Sequence, residues 1–273
     1  MIDKALLETL AAKPVAPADH LIDGVARAAS DGGRLEVISP LDGQVLTTLA
    51  RGTTDDATAA VTAARRAFDD GRWSGLAPAA RKAVLLKWAD LVEAHAAELA
   101  VLGVRDNGTE IAMAFKAEPL SAVGTIRYFA EAIDKITGEI APTAPGMLGL
   151  VHKEPVGVVG AIVPWNFPLM IGAWKLAPAL AAGCSVVLKP SETASLSLLR
   201  MAELAHEAGL PPGVLNVVTG EGATVGAAIA ESMDVDVLVF TGSGATGRHL
   251  LEASARSNFK RVYLELGGKS PNV

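Results

Sequence analysis

The sequence predicts an α/β fold built on an open, parallel, five-stranded sheet, and three observations predict it. Apolar runs recur at residues 156–163, 185–188, 214–218, 235–240 and 261–265. Helical patterns separate them, the clearest over 195–208 with Gly209 at its end and Pro211-Pro212 beyond. Each run closes in polar or glycine-rich text. Strand, helix, strand, repeated, implies right-handed crossovers and helices on both faces of the sheet. Ligands of such a sheet bind at the carboxyl ends of its strands.

The elements before the sheet read in order. Thr53-Thr54-Asp55-Asp56 caps an alanine-rich helix that closes at Gly71. A second helix follows Pro78, with Val84, Leu85, Trp88, Leu91, Val92 and Leu99 on one buried face and Lys82, Lys87 and Glu93 elsewhere. The N-terminal region is therefore expected to be mainly helical. Between 136 and 153, Gly138, Pro142, Pro145 and Gly146 punctuate short apolar pieces, which predicts a projecting β-hairpin.

Composition narrows the function. With 273 residues, half of them hydrophobic, the chain can bury the core of one large domain or two moderate ones. A net charge of −6, from 24 basic and 30 acidic residues, supplies no basic stripe for a phosphate backbone, so no nucleic-acid partner is expected. One cysteine, Cys184, allows no intrachain disulfide and no cysteine-based metal site, so no metal is expected and a reducing, cytoplasmic setting is. Asp3 and Glu8 place acids where an export signal needs a basic start. Residues 155–174 carry no charge and could in length cross a bilayer. Pro155, Pro164, Asn166 and Pro168 interrupt them, and the segment reads instead as a strand buried on both faces that ends in a turn, so no membrane partner is expected.

The five strand ends read Pro164-Trp165-Asn166-Phe167-Pro168, Lys189-Pro190-Ser191-Glu192, Thr219-Gly220-Glu221-Gly222, Thr241-Gly242-Ser243-Gly244 and Glu265-Leu266-Gly267-Gly268. Any one alone is a turn; five on one edge make a ligand-binding rim. Gly242-Ser243-Gly244-Ala245-Thr246-Gly247 spells a dinucleotide fingerprint, with Glu265 in the place of its ribose-binding acid. Topology argues against that reading, since the fingerprint belongs to the first strand of its fold and three strands precede this one. Gly267-Gly268-Lys269-Ser270 imitates a phosphate loop, but the glycine that loop requires falls on Tyr263.

Taken together, from about Thr53 to Val273, these rim sequences resemble the aldehyde dehydrogenase superfamily, through its PWNFP, KPSE and ELGGKSPN runs in that order and spacing. The wording of Arg81-Lys82-Ala83-Val84-Leu85 and of the stretch from Tyr128 to Lys135 is similar to the branch acting on gamma-glutamyl-aminobutyraldehyde and related amino aldehydes. The resemblance implies a Rossmann-like sheet and a small aldehyde substrate. It also implies a role for each rim residue. Asn166 matches the oxyanion donor, an amide that donates without changing charge. Glu265 matches the general base; a glutamate closing an apolar strand is expected to be buried, with its pKa raised, against the alternative of a water-exposed rim carboxylate. Lys189 and Glu192 match the residues that hold the adenosine ribose, so NAD is expected as cofactor, with NADP possible because Lys189 can offset a 2′-phosphate. Ser243 and the helix after it match the pyrophosphate site, with Gly242 before it, although Gly244 and Ala245 replace the family's bulkier residues. Pro164, Gly222 and Gly226 match further cofactor-lining positions. Trp165 reads equally as a site residue or as core. Cys184, at the amino end of its strand, reads as a small buried hydrophobe and not as the nucleophile.

The expected organisation is a NAD-binding domain over 1–135 and 154–265, an oligomerisation hairpin over 136–153, and at 266–273 the start of a catalytic domain, absent from the chain, that carries the nucleophilic cysteine. A homo-oligomer is expected of the full-length protein. Two functions stand on these residues: an NAD-dependent aldehyde dehydrogenase represented by its cofactor-binding portion, and a non-catalytic NAD-binding or assembly module.

Overall fold

A computed structural model describes residues 3–271. Helix α1 (Lys4–Ala11) leads into two antiparallel ribbons, β1 (His20–Ile22) with β2 (Val25–Arg27), and β3 (Arg34–Ile38) with β4 (Val45–Ala50). Helices α2 (Thr54–Asp69), α3 (Pro78–Ala94), α4 (Ala96–Asn107), α5 (Ile111–Ala117) and α6 (Pro119–Ala132) follow, and then the hairpin β5 (Glu139–Ala141) and β6 (Gly149–Val151). The chain next alternates β7 (Val158–Ile162), α7 (Pro168–Ala182), β8 (Ser185–Lys189), α8 (Leu196–Ala208) and β9 (Leu215–Val217). A π-helical turn, Gly222–Gly226, opens α9 (Ala227–Glu231), and β10 (Val237–Gly242), α10 (Gly244–Arg256) and β11 (Arg261–Leu266) complete the described part.

The central sheet runs β11-β10-β7-β8-β9-β1-β2. Its five C-terminal strands are the expected parallel set. Two more strands correct the expected count: β1 joins β9 antiparallel through Leu21 and Val217, and β2 lies outside it. The N-terminal region is mainly helical, with four short strands before α2. Strands of three residues are too short to show period-two alternation, so their apolar residues carry no strand signal. The helix expected to run from Pro78 to Leu99 is also two, because the backbone breaks at His95 and Leu99 belongs to α4.

Along β7 and β8 alternate residues face opposite layers. Val159, Ala161, Val186 and Leu188 pack with α3, α6, α7 and α8, while Val158, Ile162 and Val187 pack with α2 and α9. Both faces are dry, as expected of parallel strands with helical crossovers. At the start of α2, Thr53 and Asp56 form a capping box, the Thr53 N–H donating to Asp56 Oδ2 at 2.9 Å and the Asp56 N–H to Thr53 Oγ1 at 3.2 Å. Two buried tryptophans, Trp73 in the turn between α2 and α3 and Trp88 in α3, tie the outer layer to the crossover helices. Trp73 Nε1 donates to the Leu180 carbonyl of α7 and Trp88 Nε1 to the Met201 carbonyl of α8, each at 2.9 Å. These ties matter because α7 and α8 begin at the rim.

Candidate functional site at the switch point

Strand order locates the rim. From β7 the chain builds outward through β8 and β9, then returns to place β10 and β11 on the other side of β7. The order therefore reverses between β7 and β10, and a crevice at such a reversal is where open α/β sheets bind ligands. The turn after β7 carries Pro164, Trp165 and Asn166; β10 ends at Gly242, and Ser243 follows it. β8 and β11 flank them with Lys189, Glu192 and Glu265. Chain order had scattered these residues, and the sheet gathers them on one edge.

Asn166 is exposed, and its side-chain amide makes no hydrogen bond among the described residues. Trp165 is 60% exposed, which takes it out of the core. Pro164 is half-buried at the foot of the same turn. Lys189, 3% exposed, reaches Glu192 Oε2 with its ammonium at 2.8 Å. Burial pushes the Glu192 carboxyl up, but the bond to Lys189 and its charge outweigh burial and hold it below its ordinary value. Ser243 caps α10, its Oγ accepting from the Thr246 N–H at 3.1 Å, so the free N–H groups of a thirteen-residue helix open onto the rim.

The glycines divide by cause. A Cβ on Gly222 would meet no heavy atom within 4 Å, so the backbone there is open toward the rim. Gly226 is buried, with the Ile162 methyl 3.7 Å from an added Cβ, and a Cβ on Gly242 would lie 2.4 Å from the Phe240 ring. Packing inside the chain accounts for Gly242, whereas the contact at Gly226 is an ordinary van der Waals one that a side-chain carbon could make. The closest backbone approach is one the sequence did not single out: a Cβ on Gly52 would lie 2.3 Å from the Thr219 carbonyl, which accepts the Gly52 N–H at 3.0 Å.

Glu265 is exposed, as in the rim-carboxylate alternative of the two sequence readings, and among the described residues β10 is the one neighbour of its strand. Its surroundings name a residue that sequence reasoning missed. Lys175 of α7 shares a cleft with Glu265, Trp174 and Tyr263; burial lowers its pKa, and the Glu265 charge offsets that only in part. A lysine on a helix reads as a solvated face, so no pattern marked it. Cys184, 3% exposed, stands just before the amino end of β8, and burial raises its thiol pKa.

Three polar residues of the helical layer also went unmarked. Asp106 Oδ2 accepts the Leu196 N–H at 2.8 Å at the start of α8, and burial pushes its carboxyl up to about 6. Asn107 Nδ2 donates to the Trp165 carbonyl at 3.1 Å. Glu118 Oε2 accepts the Met170 N–H at 3.0 Å at the start of α7, and burial pushes its carboxyl up to about 7. Their partners lie 52 to 90 residues away in the chain, so nothing local could reveal them. No group of His, Cys, Asp or Glu suited to hold a metal occurs among the described residues, and no described helix is long and apolar enough to cross a membrane.

A parallel-rich sheet with helices on both faces and polar turns converging at its switch point defines an open α/β protein with a ligand crevice at its strand ends. The profile described as "Aldehyde dehydrogenase family" matches residues 27–273. The chain belongs to that family. It is 51% identical over 252 residues to an NADP/NAD-dependent aldehyde dehydrogenase of Escherichia coli K12, covering 92% of this chain and 51% of that protein. The gamma-glutamyl-gamma-aminobutyraldehyde dehydrogenase of Burkholderia cenocepacia superposes with a TM-score of 0.95 at 50% identity, over 98% of this chain and 54% of that one. The P. syringae indole-3-acetaldehyde dehydrogenase, solved in complex with NAD+, gives a TM-score of 0.96 at 48% identity, over 99% of this chain and 55% of that one. The chain spans about half the length of the curated relatives it matches.

Proposed function

We propose that this chain is the cofactor-binding part of an NAD-dependent aldehyde dehydrogenase, and that its rim serves oxidation of an aldehyde to a carboxylic acid through a cysteine thioester. The observation that carries this reading is the convergence of Asn166, Ser243, Lys189, Glu192 and Glu265 on one edge, at and beside the switch point. The rim fits a dinucleotide. The buried Lys189 fixes a carboxylate that can accept bonds from a ribose diol, the N-terminus of α10 faces an anion, and the open backbone at Gly222 leaves room for close approach. Pro164 and Trp165 form the wall beside β7, and Gly226 and Gly242 are read as cofactor-lining positions with them.

Bound nicotinamide supplies the acceptor for the hydride that leaves the substrate carbon. The residues of this chain do the rest of what is in reach. When a thiolate adds to the aldehyde carbonyl, the oxygen takes negative charge, and the Asn166 amide donates to it. After hydride departure restores the carbonyl as a thioester, Glu265 accepts a proton from the attacking water, and the acid leaves as the thiolate is regenerated. Lys175 lines the same cleft as Glu265.

The thiolate is the one part that these 273 residues do not offer, since the single thiol is buried against the sheet away from the rim. That observation favours a second reading for the chain by itself, a non-catalytic NAD-binding or assembly module. Small amino aldehydes are the substrate class for the dehydrogenase, in line with the gamma-glutamyl-gamma-aminobutyraldehyde relative; the setting is cytoplasmic, and the protein assembles as a homo-oligomer through β5 and β6. Titration calorimetry with NAD tests the core of the reading. Saturable binding that weakens in Glu192→Ala is expected, and no affinity in a folded chain would overturn it.

A further inference from the structure

The aim of Asn166 is set by backbone alone, because among the described residues its amide holds no partner. Pro164 and Pro168 fix φ on either side of it, yet the peptide plane joining Trp165 to Asn166 keeps its own freedom to swing. Asn107, the last residue of α4, donates from Nδ2 to the carbonyl of that very plane at 3.1 Å. Its other amide atom is engaged as well, Oδ1 accepting the Thr109 N–H at 2.9 Å and the Thr109 hydroxyl at 2.7 Å. A rotation of Asn107 would therefore cost bonds at both ends. On the far side of the turn, α7 starts at Phe167 with no side-chain cap from its own sequence. Glu118, 3% exposed, provides one from the α5–α6 corner by accepting the Met170 N–H.

We propose that Asn107 and Glu118 are positioning residues for Asn166, gripping the turn at Trp165 and at Met170 so that the amide keeps one direction. This rests on the reading of Asn166 as oxyanion donor. An amide that must meet charge only as it develops gains most from being oriented beforehand, and the layer that carries Asn107 and Glu118 is tied to α7 and α8 by the bonds of Trp73, in the turn before α3, and of Trp88, in α3.

The test uses the 273-residue chain and needs no turnover. Asn107→Asp keeps the acceptor for Thr109 and sets an oxygen against the Trp165 carbonyl; Glu118→Ala removes the cap, and Glu118→Gln keeps an acceptor for Met170. The side-chain amide resonances of Asn166, assigned by their loss in Asn166→Ser, are expected to shift and broaden in Asn107→Asp and Glu118→Ala and to return in Glu118→Gln. Amide exchange over 165–171 is expected to speed about tenfold in the first two variants while exchange in the sheet holds. Unmoved resonances, or faster exchange spread evenly through the sheet, would overturn the proposal. Its failure is separate from that of the oxyanion reading, which stands or falls on whether Asn166→Ala lowers aldehyde turnover in an active dehydrogenase.

Discussion

Lys189 and Glu192 are joined at 2.8 Å across the end of β8, one end of the pair buried and the other 44% exposed. The lysine stem lies in the core while its head orders a carboxylate that faces the rim, so the charge pattern offered to a ligand is held by the sheet itself. An exposed pair of this length would contribute little. Here burial of the lysine makes the arrangement directional.

Glu192→Gln is expected to weaken NAD binding about tenfold, since hydrogen bonds to a charged acceptor contribute roughly 1.5 to 3 kcal/mol. The same change removes the repulsion of a 2′-phosphate and narrows the gap between NAD and NADP. Calorimetry with both dinucleotides measures this; equal losses for the two would show that Glu192 does not face the ribose.

The strand ends were legible because each joins an apolar run to glycine, proline and polar text, and both signals are local. The Thr53–Asp56 capping box was legible for the same reason. Asp106, Asn107 and Glu118 were not, because each acts on a backbone group of a distant segment, and an acid or amide near a helix end reads as a solvated cap of its own helix. Glu265 shows the reverse limit: apolar text predicts a strand but not what lies beside it, and among the described residues β10 is the one neighbour of β11.

Glu118 gives stability a pH dependence. Its carboxyl is pushed from 4.5 to about 7 in the folded chain, so between those values the folded state holds a proton that the unfolded state has released. Its contribution is therefore fully present below pH 4.5 and is lost as pH rises through about 7. The loss is on the order of 3 kcal/mol. Asp106, pushed from 3.8 to about 6, acts with the same sign in a lower window. Urea melts from pH 4.5 to 8 are expected to show a shallower decline in Glu118→Gln than in the parent, and parallel curves would remove Glu118 as the cause.

Cys184 is expected to resist thiol reagents in the folded chain, because it is 3% exposed and burial disfavours its thiolate. Labelling that is slow in buffer and complete in denaturant is the expected result. Purified 273-residue chain is expected to form no NADH from an aldehyde. If it does, and Cys184→Ala abolishes that activity, the buried thiol is the nucleophile after all.

The hairpin makes the last prediction. β5 and β6 hydrogen-bond only to each other, in register Ile140 with Leu150, so both residues point to one face and each strand keeps an open edge. Ile140 is 75% exposed, Leu150 69% and Leu148 72%, a concentration of apolar surface on a projection that contributes no core residue. A two-stranded hairpin of three-residue strands is marginal in water by itself, so cover by a second surface would stabilise it. Ile140→Ser with Leu150→Ser removes the paired face without touching the sheet. At roughly 1.5 kcal/mol or more for each side chain lost from a covered interface, self-association is expected to weaken by about a hundredfold. Sedimentation equilibrium reads the change directly, and the melting midpoint at low concentration should hold because the core is untouched. A mass distribution identical to the parent's at every concentration would show that this face does not mediate association.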